Sequence, residues 1–202
     1  MRSPLLLCLA LLTAHAREAE PETPATERTF QQYKVEAEKG DLEAIHKLGW
    51  CFEHGFGTNR NLPESVRWYR RAAELGHAPS QESLGEAYLH GEGVAVEHTE
   101  AVKWLEKAAL QGRANAQFEL AEYYGGGLQY VNSKYIEAYA WAHLFAKTAP
   151  KEARSVRHES FVKSIDNQLV DKLMLAAAQK RLAELEKQLA ANSTPKPRAV
   201  NK

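Results

Sequence analysis

A period of 36 residues runs through the middle of this 202-residue chain and constrains its fold more than any other feature. Glycines, apolar pairs and tryptophans all keep this spacing. The matching positions are Gly40, Gly76 and Gly112; Gly55, Gly91 and Gly127; Leu48-Gly49, Leu84-Gly85 and Leu120-Ala121; Ala72-Ala73 and Ala108-Ala109; and Trp68, Trp104 and, one residue late, Trp141. A period of about 20–50 residues is typical of tandem supersecondary units, so we expect an array of stacked repeats.

Each period predicts two α-helices. The first covers residues 41–54, because Ala44, Leu48 and Phe52 recur four positions apart and therefore share one helix face. The second runs from about Pro63 to residue 75, and proline suits the first turn of a helix, where its missing N–H costs nothing.

Four glycines of the period have different predicted roles. Gly76 and Gly112 follow the second helices, where the chain commonly adopts a left-handed conformation. Gly49 and Gly85 lie in the middle of the first helices, where glycine costs about 0.8–1 kcal/mol relative to alanine. We therefore expect the backbone of a neighbouring helix to approach closely at these two positions.

These motifs resemble those of the Sel-one-like repeat (SLR) family, which is related to the tetratricopeptide repeats. The matching motifs, over about residues 34–147, are Leu48-Gly49-x-x-Phe52-x-x-Gly55, Leu84-Gly85-x-x-Tyr88-x-x-Gly91, Trp68-Tyr69-x-x-Ala72-Ala73-x-x-Gly76, Trp104-Leu105-x-Lys107-Ala108-Ala109-x-x-Gly112 and Tyr139-Ala140-Trp141-Ala142. The resemblance implies an all-α superhelix of about three helix-pair repeats with N- and C-terminal helical caps. It also implies a scaffold that binds proteins, and not an enzyme.

The ends of the array are expected to be covered by capping helices, because a terminal repeat has no neighbour over its apolar face. The capping segments are residues 28–40 and residues 150–190, the latter as two helices of about Lys151–Asp166 and Asn167–Ala190. The repeats would be residues 41–76, 77–112 and 113–149, preceded by a disordered linker over 17–27 and followed by a disordered tail over 191–202. Leu175, Leu182 and Leu189 are seven residues apart, so a coiled coil between two copies is the alternative to capping.

Residues 1–16 have the pattern of a secretory signal peptide. Arg2 supplies a positive charge, Leu5–Leu12 is an apolar stretch, and Ala14-His15-Ala16 is a cleavage pattern of small residues. An uncleaved anchor is the alternative, although the stretch is shorter than the ~20 residues that span a bilayer. We expect a periplasmic or secreted protein with no membrane span in the mature chain.

Composition excludes several classes of function. The chain has 26 basic and 26 acidic residues, and this balance argues against nucleic acid, which needs a concentrated positive field. Its two cysteines, Cys8 and Cys51, cannot form a disulfide framework or a structural zinc site. Cys51 falls in an apolar helical pattern, so we expect a buried thiol. No cofactor is expected.

A partner would bind in a concave groove lined by the first helices of the repeats. Transferred from the tetratricopeptide pattern, the groove residues are Glu43, His46, Trp50, Glu53, His54, Glu82, Glu86, Leu89, His90, Asn115, Phe118 and Glu122. The repeat does not require Trp50, which is either an exposed hot spot or a contact of the N-terminal cap. Five of the twelve are glutamates, so a basic protein segment is the expected partner.

The two parts of the chain differ in net charge. Residues 17–150 carry 14 basic and 20 acidic side chains, whereas residues 151–202 carry 11 and 6. The basic C-terminal segment could therefore lie across an acidic groove until a partner displaces it. The alternative is that it only caps the array and that its charge serves solubility.

Sites for chemistry find little support in the sequence. His54 and His90 occupy the same repeat position before glycine, where they are better suited to cap a helix C-terminus than to bind a metal. Ser160-Phe161-Val162-Lys163 matches a serine-hydrolase pattern but lacks its companion motifs. The interpretation is a monomeric, non-catalytic scaffold. The alternatives are an envelope enzyme or cell-wall-binding protein that uses groove carboxylates, and a regulator that dimerises through its C-terminal helix.

Overall fold

The computed structural model describes residues 25–126, 132–151, 154–168 and 172–193. Within these ranges the chain forms nine α-helices and no strand, which confirms the all-α fold. The helices are α1 (Ala25–Glu38), α2 (Leu42–His54), α3 (Leu62–Glu74), α4 (Ala78–His90), α5 (His98–Ala109), α6 (Ala114–Gly125), α7 (Asn132–Thr148), α8 (Val156–Gln168) and α9 (Lys172–Ser193). The predicted signal peptide lies outside the described residues.

Three helix pairs, α2–α3, α4–α5 and α6–α7, stack in chain order, each helix packing on the next. Local sequence sets the helix ends: the Asp41 side chain accepts a hydrogen bond of 2.8 Å from the backbone N–H of Ala44 at the start of α2. Gly76 and Gly112 both have φ near +90°, which confirms the left-handed position predicted after the second helices. The repeats are therefore equivalent in local backbone as well as in sequence.

Gly49 and Gly85 are confined by different neighbours. A Cβ atom on Gly85 would lie 2.7 Å from Cγ of Leu105 and 3.1 Å from its backbone N, so α5 approaches closely, as predicted. A Cβ atom on Gly49 would instead lie 2.7 Å from the ring of Tyr69. The prediction of a backbone contact is therefore wrong at Gly49, where an aromatic side chain fills the space.

Trp68 and Trp104 have equivalent surroundings. Arg71 lies 5.5 Å from the Trp68 ring centroid, and Lys107, at the same repeat position, lies 4.0 Å from the ring of Trp104. Trp141 differs because it is fully buried in the core of the third repeat, which α9 also covers. A cation above an aromatic face is favourable, so Trp68 and Trp104 make the same interaction in their repeats. Trp141 serves as a core residue instead.

The array is covered at both ends. α1 packs on α2, and it begins at Ala25, so the predicted linker over residues 17–27 is wrong for its last three residues. α9 packs on α7, where Leu185 is buried and Leu182 and Leu189 are partly buried against the third repeat. It ends at Ser193, so the predicted disordered tail over residues 191–202 is wrong for its first three residues; the rest of that segment lies outside the described residues.

Cys51 is fully buried within the core that α1, α2 and α3 share, as predicted. Burial raises the pKa of its thiol, which disfavours the reactive thiolate. None of the helices that the structure describes is long and apolar enough to cross a membrane.

Candidate functional site

The side chains of α2, α4 and α6 meet on one side of the stack, which we call the first-helix surface. His46 of α2 reaches Ser80 of α4, and Glu82 of α4 contacts Arg113 and Asn115 at the start of α6. The twelve residues predicted to line the groove all lie on these three helices: Glu43, His46, Trp50, Glu53, His54, Glu82, Glu86, Leu89, His90, Asn115, Phe118 and Glu122. They differ in how far they are exposed.

Trp50 is exposed at the start of this surface, with 41% of its area accessible. Its ring stacks on His54 at a centroid distance of 4.5 Å and lies 5.6 Å from the ring of Phe56. Nδ1 of His54 lies 3.1 Å from the Trp50 carbonyl oxygen, which suits the predicted role of capping the end of α2. Trp50 therefore packs on its own repeat and leaves an aromatic face available.

His46 is half-buried in a polar cluster between the first two repeats. Its Nδ1 lies 3.0 Å from Oγ of Ser80, and Nδ1 of His77 lies 2.9 Å from the same oxygen. His77 also pairs with Glu43 at 3.4 Å. The arrangement of serine, histidine and carboxylate is similar to a hydrolase triad, but Ser80 is fully buried and out of reach of a substrate in this conformation.

This cluster makes the stability of the protein depend on pH. Desolvation, with a smaller effect of the His77 charge, lowers the pKa of His46 to about 4. The unfolded chain takes up a proton near pH 6.5 whereas the folded chain does so only near pH 4, so acidification through this window favours unfolding. Because the ring is partly exposed, we expect His46 to lower the free energy of unfolding by about 1–2 kcal/mol when the pH falls from 7 to 4.5.

The measurement is urea unfolding of wild-type protein and His46→Gln at pH 7 and pH 4.5. The loss of stability on acidification should be about 1–2 kcal/mol smaller in the variant. His98→Gln, at an exposed histidine on α5, is the control and should follow the wild type. An equal loss in wild type and His46→Gln would show that His46 is not the origin.

Glu82 is not available to a partner, contrary to the prediction. Its side chain is 8% exposed, and both carboxylate oxygens accept hydrogen bonds from Arg113, at 2.8 and 2.9 Å. Asn115 donates a longer bond of 3.4 Å. These hydrogen bonds and the Glu82 charge raise the pKa of Arg113. Glu82 is buried because this bidentate contact ties the second repeat to the third.

Glu86 is the least neutralised acid of the first-helix surface. It lies next to a cavity of about 20 Å³ that Glu53 and Glu92 also line. Burial, followed by the negative charges of Glu82, Glu119, Glu53 and Glu92, raises the pKa of Glu86 to about 7. Among the described residues, no side chain hydrogen-bonds or ion-pairs with Glu86; Arg113, whose pKa the Glu86 charge raises, forms its hydrogen bonds with Glu82 instead. A cation on the Glu86 carboxylate would relieve the repulsion.

Glu53 differs from Glu86 because the Tyr69 hydroxyl donates a hydrogen bond of 2.5 Å to its carboxylate. Burial and this hydrogen bond raise the pKa of Tyr69, which keeps the phenol protonated as a donor. Tyr69 is buried on α3, so it fixes Glu53 in place at the edge of the surface.

Phe118 is also buried, contrary to the prediction. Its ring lies 4.2 Å from the ring of His158 and 5.5 Å from the ring of Phe161, both on α8. Glu122, one turn further along α6, pairs with Arg157 of α8. α8 therefore covers Phe118 and pairs with Glu122, whereas Asn115 at the start of α6 remains exposed.

An open cavity of about 450 Å³ lies between α4, α6 and the start of α8. Leu89 and His90 line it from α4, and Glu119 and Tyr123 line it from α6. Burial raises the pKa of Glu119, whereas the nearby His90 lowers it by a smaller amount. The cavity combines an apolar wall with acidic groups, and the Arg157 guanidinium that pairs with Glu122 also lines it.

A metal site finds no support in the described ranges, where no group of three or more histidine, cysteine, aspartate or glutamate residues is placed to hold an ion. His54 and His90 contact different neighbours: the Trp50 ring for His54, and the cavity beside Glu119 for His90.

Sequence reasoning missed the residues that join neighbouring repeats. His77 and Arg113 stand where Asp41 caps α2, 36 and 72 residues earlier in the period, yet neither makes a side-chain cap. Each instead reaches a carboxylate of the preceding first helix. The change from a capping aspartate to histidine and arginine was the signal that could have revealed them.

Fold and surface together define an α-helical repeat protein built from stacked helix pairs. The Sel1 repeat family model matches residues 42–77, 78–112 and 114–147, more than half of the chain. The chain belongs to the Sel1 repeat family, whose members are generally scaffolds for protein–protein interactions.

Two solved structures show the same fold. A protective antigen, c5321, present in uropathogenic Escherichia coli strains and displaying an SLR fold, is 26% identical, with a TM-score of 0.68 over 96% of this chain and 41% of that chain. A Sel1 repeat protein from Oxalobacter formigenes is 22% identical, with a TM-score of 0.60 over 84% of this chain and 65% of that chain. The chain thus spans less than two thirds of either structure. No curated protein matches it.

Proposed function

We propose that this protein is an exported, non-catalytic scaffold that binds a segment of a partner protein on the first-helix surface of repeats one and two. The observation that carries the proposal is the acidic, incompletely neutralised state of Glu86, since the corresponding acid of the third repeat, Glu122, is already paired with Arg157 of α8. Trp50 adds an exposed aromatic side chain at the other end. Aromatic residues and unpaired charges are frequent at binding hot spots.

Export is part of the proposal and rests on the signal-peptide pattern of residues 1–16. A periplasmic or secreted scaffold needs no cysteine framework if its core is packed, and the helices here bury apolar clusters in all three repeats. The proposed monomer is supported by α9, whose Leu182 and Leu189 pack on the chain's own third repeat.

The enzyme alternative would use Glu53 and Glu86 as a pair of carboxylates. The cavity between them measures about 20 Å³, which is room for about one water molecule and not for a sugar ring. In addition, the carboxylate of Glu53 already accepts the hydrogen bond from the Tyr69 hydroxyl. This geometry favours binding over hydrolysis.

The proposal is tested by affinity capture from envelope and culture extracts with wild-type protein and the double variant Trp50→Ala, Glu86→Gln. The partner captured by the wild type should be lost with the double variant, because both variant positions lie on the first-helix surface. Glu74→Gln, at an exposed acid on α3, is the control and should retain the partner. Equal capture by the wild type and the double variant would refute the proposal that the partner binds on the first-helix surface.

A further inference from the structure

α8 lies on the first-helix surface of the third repeat as a ligand helix would. Its Phe161 ring packs against Phe118, and its Arg157 guanidinium pairs with Glu122. Arg157 and Phe161 are four residues apart on α8, and Phe118 and Glu122 are four residues apart on α6. Each helix therefore presents one charged and one aromatic side chain on a single face.

The third repeat is specialised to receive this helix. Gly125 stands where the first two repeats have Glu53 and Leu89. A Cβ atom at Gly125 would lie 2.8 Å from the Phe161 ring and 3.0 Å from Cδ1 of Ile165. Glycine at this position therefore leaves room for α8. The contacts of Arg157 and Phe161 show that the third repeat binds a helix through an arginine and an aromatic ring.

The second repeat offers the corresponding positions without an occupant among the described residues. Glu86 is the counterpart of Glu122, 36 residues earlier, and it has no cation paired with it there. Leu89 is the counterpart of Gly125, and it supplies an apolar wall to the open cavity of about 450 Å³. Glu119 borders the same cavity and adds a carboxylate, and the Arg157 guanidinium that also lines the cavity is already paired with Glu122. Glu86 lies one turn before Leu89 on α4, so an unpaired carboxylate and an apolar wall follow one another along this helix, and together they favour a cationic helix with an apolar side chain.

We propose that the second repeat binds an amphipathic helix of a partner protein that carries an arginine four residues before an aromatic residue, with the guanidinium on Glu86 and the ring against Leu89. This inference rests on the proposed function and specifies its partner class. The partner helix would lie beside α8, and its arginine would neutralise the carboxylate that four neighbouring glutamates disfavour.

The probe is a synthetic, fluorescently labelled peptide that copies residues 154–168, titrated into the full chain at low ionic strength. We expect saturable binding below about 1 mM, since a charge-assisted contact must first offset the cost of ordering a short helix. Glu86→Gln should weaken binding by about tenfold or more, whereas Glu74→Gln should leave it unchanged. In the peptide, Arg157→Ala should abolish binding, and Lys163→Ala should weaken it by less than about threefold.

The variant Glu122→Gln distinguishes peptide binding at Glu86 from peptide binding at Glu122, where Arg157 of α8 pairs in the structure. A larger loss of affinity with Glu122→Gln than with Glu86→Gln would mean that the peptide replaces α8 on α6, and this would overturn the inference. Absence of binding at about 1 mM peptide would overturn it as well. If the peptide does not bind while partner capture still depends on Trp50 and Glu86, only the proposed class of partner is refuted. If capture is also independent of these two residues, the proposed function is refuted as well.

Discussion

Replacing Arg113 with alanine should lower the free energy of unfolding by about 2–3 kcal/mol at pH 8. Removing one partner of a buried ion pair leaves an uncompensated charge, and Glu82 is only 8% exposed. Fully buried pairs lose about 3–5 kcal/mol in this way, but the Arg113 side chain is 40% exposed, so water can partly solvate the carboxylate that it leaves. Arg113 makes no side-chain cap on α6, so the loss reports the ion pair and not a lost cap.

Urea unfolding at pH 8 measures this loss, with Arg67→Ala as the matched control. Arg67 also pairs with a glutamate, Glu64, at 3.2 Å, but its side chain is 75% exposed, so its removal should cost less than about 0.5 kcal/mol. Adding Glu86→Gln to Arg113→Ala should recover part of the loss, because the repulsion between Glu82 and Glu86 then disappears. Equal stabilities of Arg113→Ala and Arg67→Ala would show that the pair between repeats contributes nothing.

The repeat period predicted most of the fold because local rules determine helix pairs. Spacing of apolar residues fixes which face of a helix is buried, and residues such as Asp41 and Gly76 fix where the helices begin and end. The observed bounds of α2 and α3 lie within one residue of the predicted ones. Family membership followed from the same positions, since the period and the motif are one pattern.

The candidate site was predicted less completely because its exposure depends on contacts between distant parts of the sequence. Phe118 is buried by Phe161 and His158, which lie about 40 residues away, and Glu82 is buried by Arg113. A pattern transferred from one repeat to the next assumes that each repeat has the same neighbours. That assumption fails at the third repeat, where α8 takes the place of a further repeat or a partner.

Gly49 and Gly85, in the middle of α2 and α4, also show what local sequence can and cannot predict. The sequence indicated that something approaches closely at Gly49 and Gly85, because glycine there is otherwise unfavourable. It could not indicate which group approaches, since Tyr69 and Leu105 occupy equivalent positions, 36 residues apart, with different side chains. Tyr69 has a second task, the hydrogen bond to Glu53, that Leu105 cannot perform.

Replacing Glu86 with glutamine should raise the free energy of unfolding by about 2 kcal/mol at pH 8. The folded state binds a proton on Glu86 with a pKa of about 7, whereas the unfolded state binds it near 4.5. The favourable contribution of the protonated form is complete below pH 4.5 and is lost as the pH rises through 7. At pH 8 the ionised carboxylate therefore opposes folding, and glutamine removes this cost while keeping the shape of the side chain.

Unfolding of wild type and Glu86→Gln at pH 4.5, 6 and 8 provides the measurement. The difference should decrease from about 2 kcal/mol at pH 8 to near zero at pH 4.5. His46 acts in the opposite direction over part of this range, but it contributes equally to both proteins and cancels in the difference. Glu74→Gln is the control and should show no such pH dependence. A constant difference, or a less stable variant at pH 8, would contradict the assignment.

The variant that gains stability should also lose affinity, because the same carboxylate opposes folding and attracts a cationic ligand. Burial and four neighbouring glutamates oppose the Glu86 charge, so its carboxylate does not stabilise the fold at pH 8. An incoming guanidinium stabilises the ionised form, so binding should release the proton that Glu86 holds below pH 7. Peptide affinity should therefore increase from pH 6 to pH 8 by more in the wild type than in Glu86→Gln, since Glu119, His90 and the peptide's own histidine are common to both titrations and only Glu86 differs. Stability gained and affinity lost in one substitution would identify Glu86 as a binding residue, since a purely structural acid would change only the first.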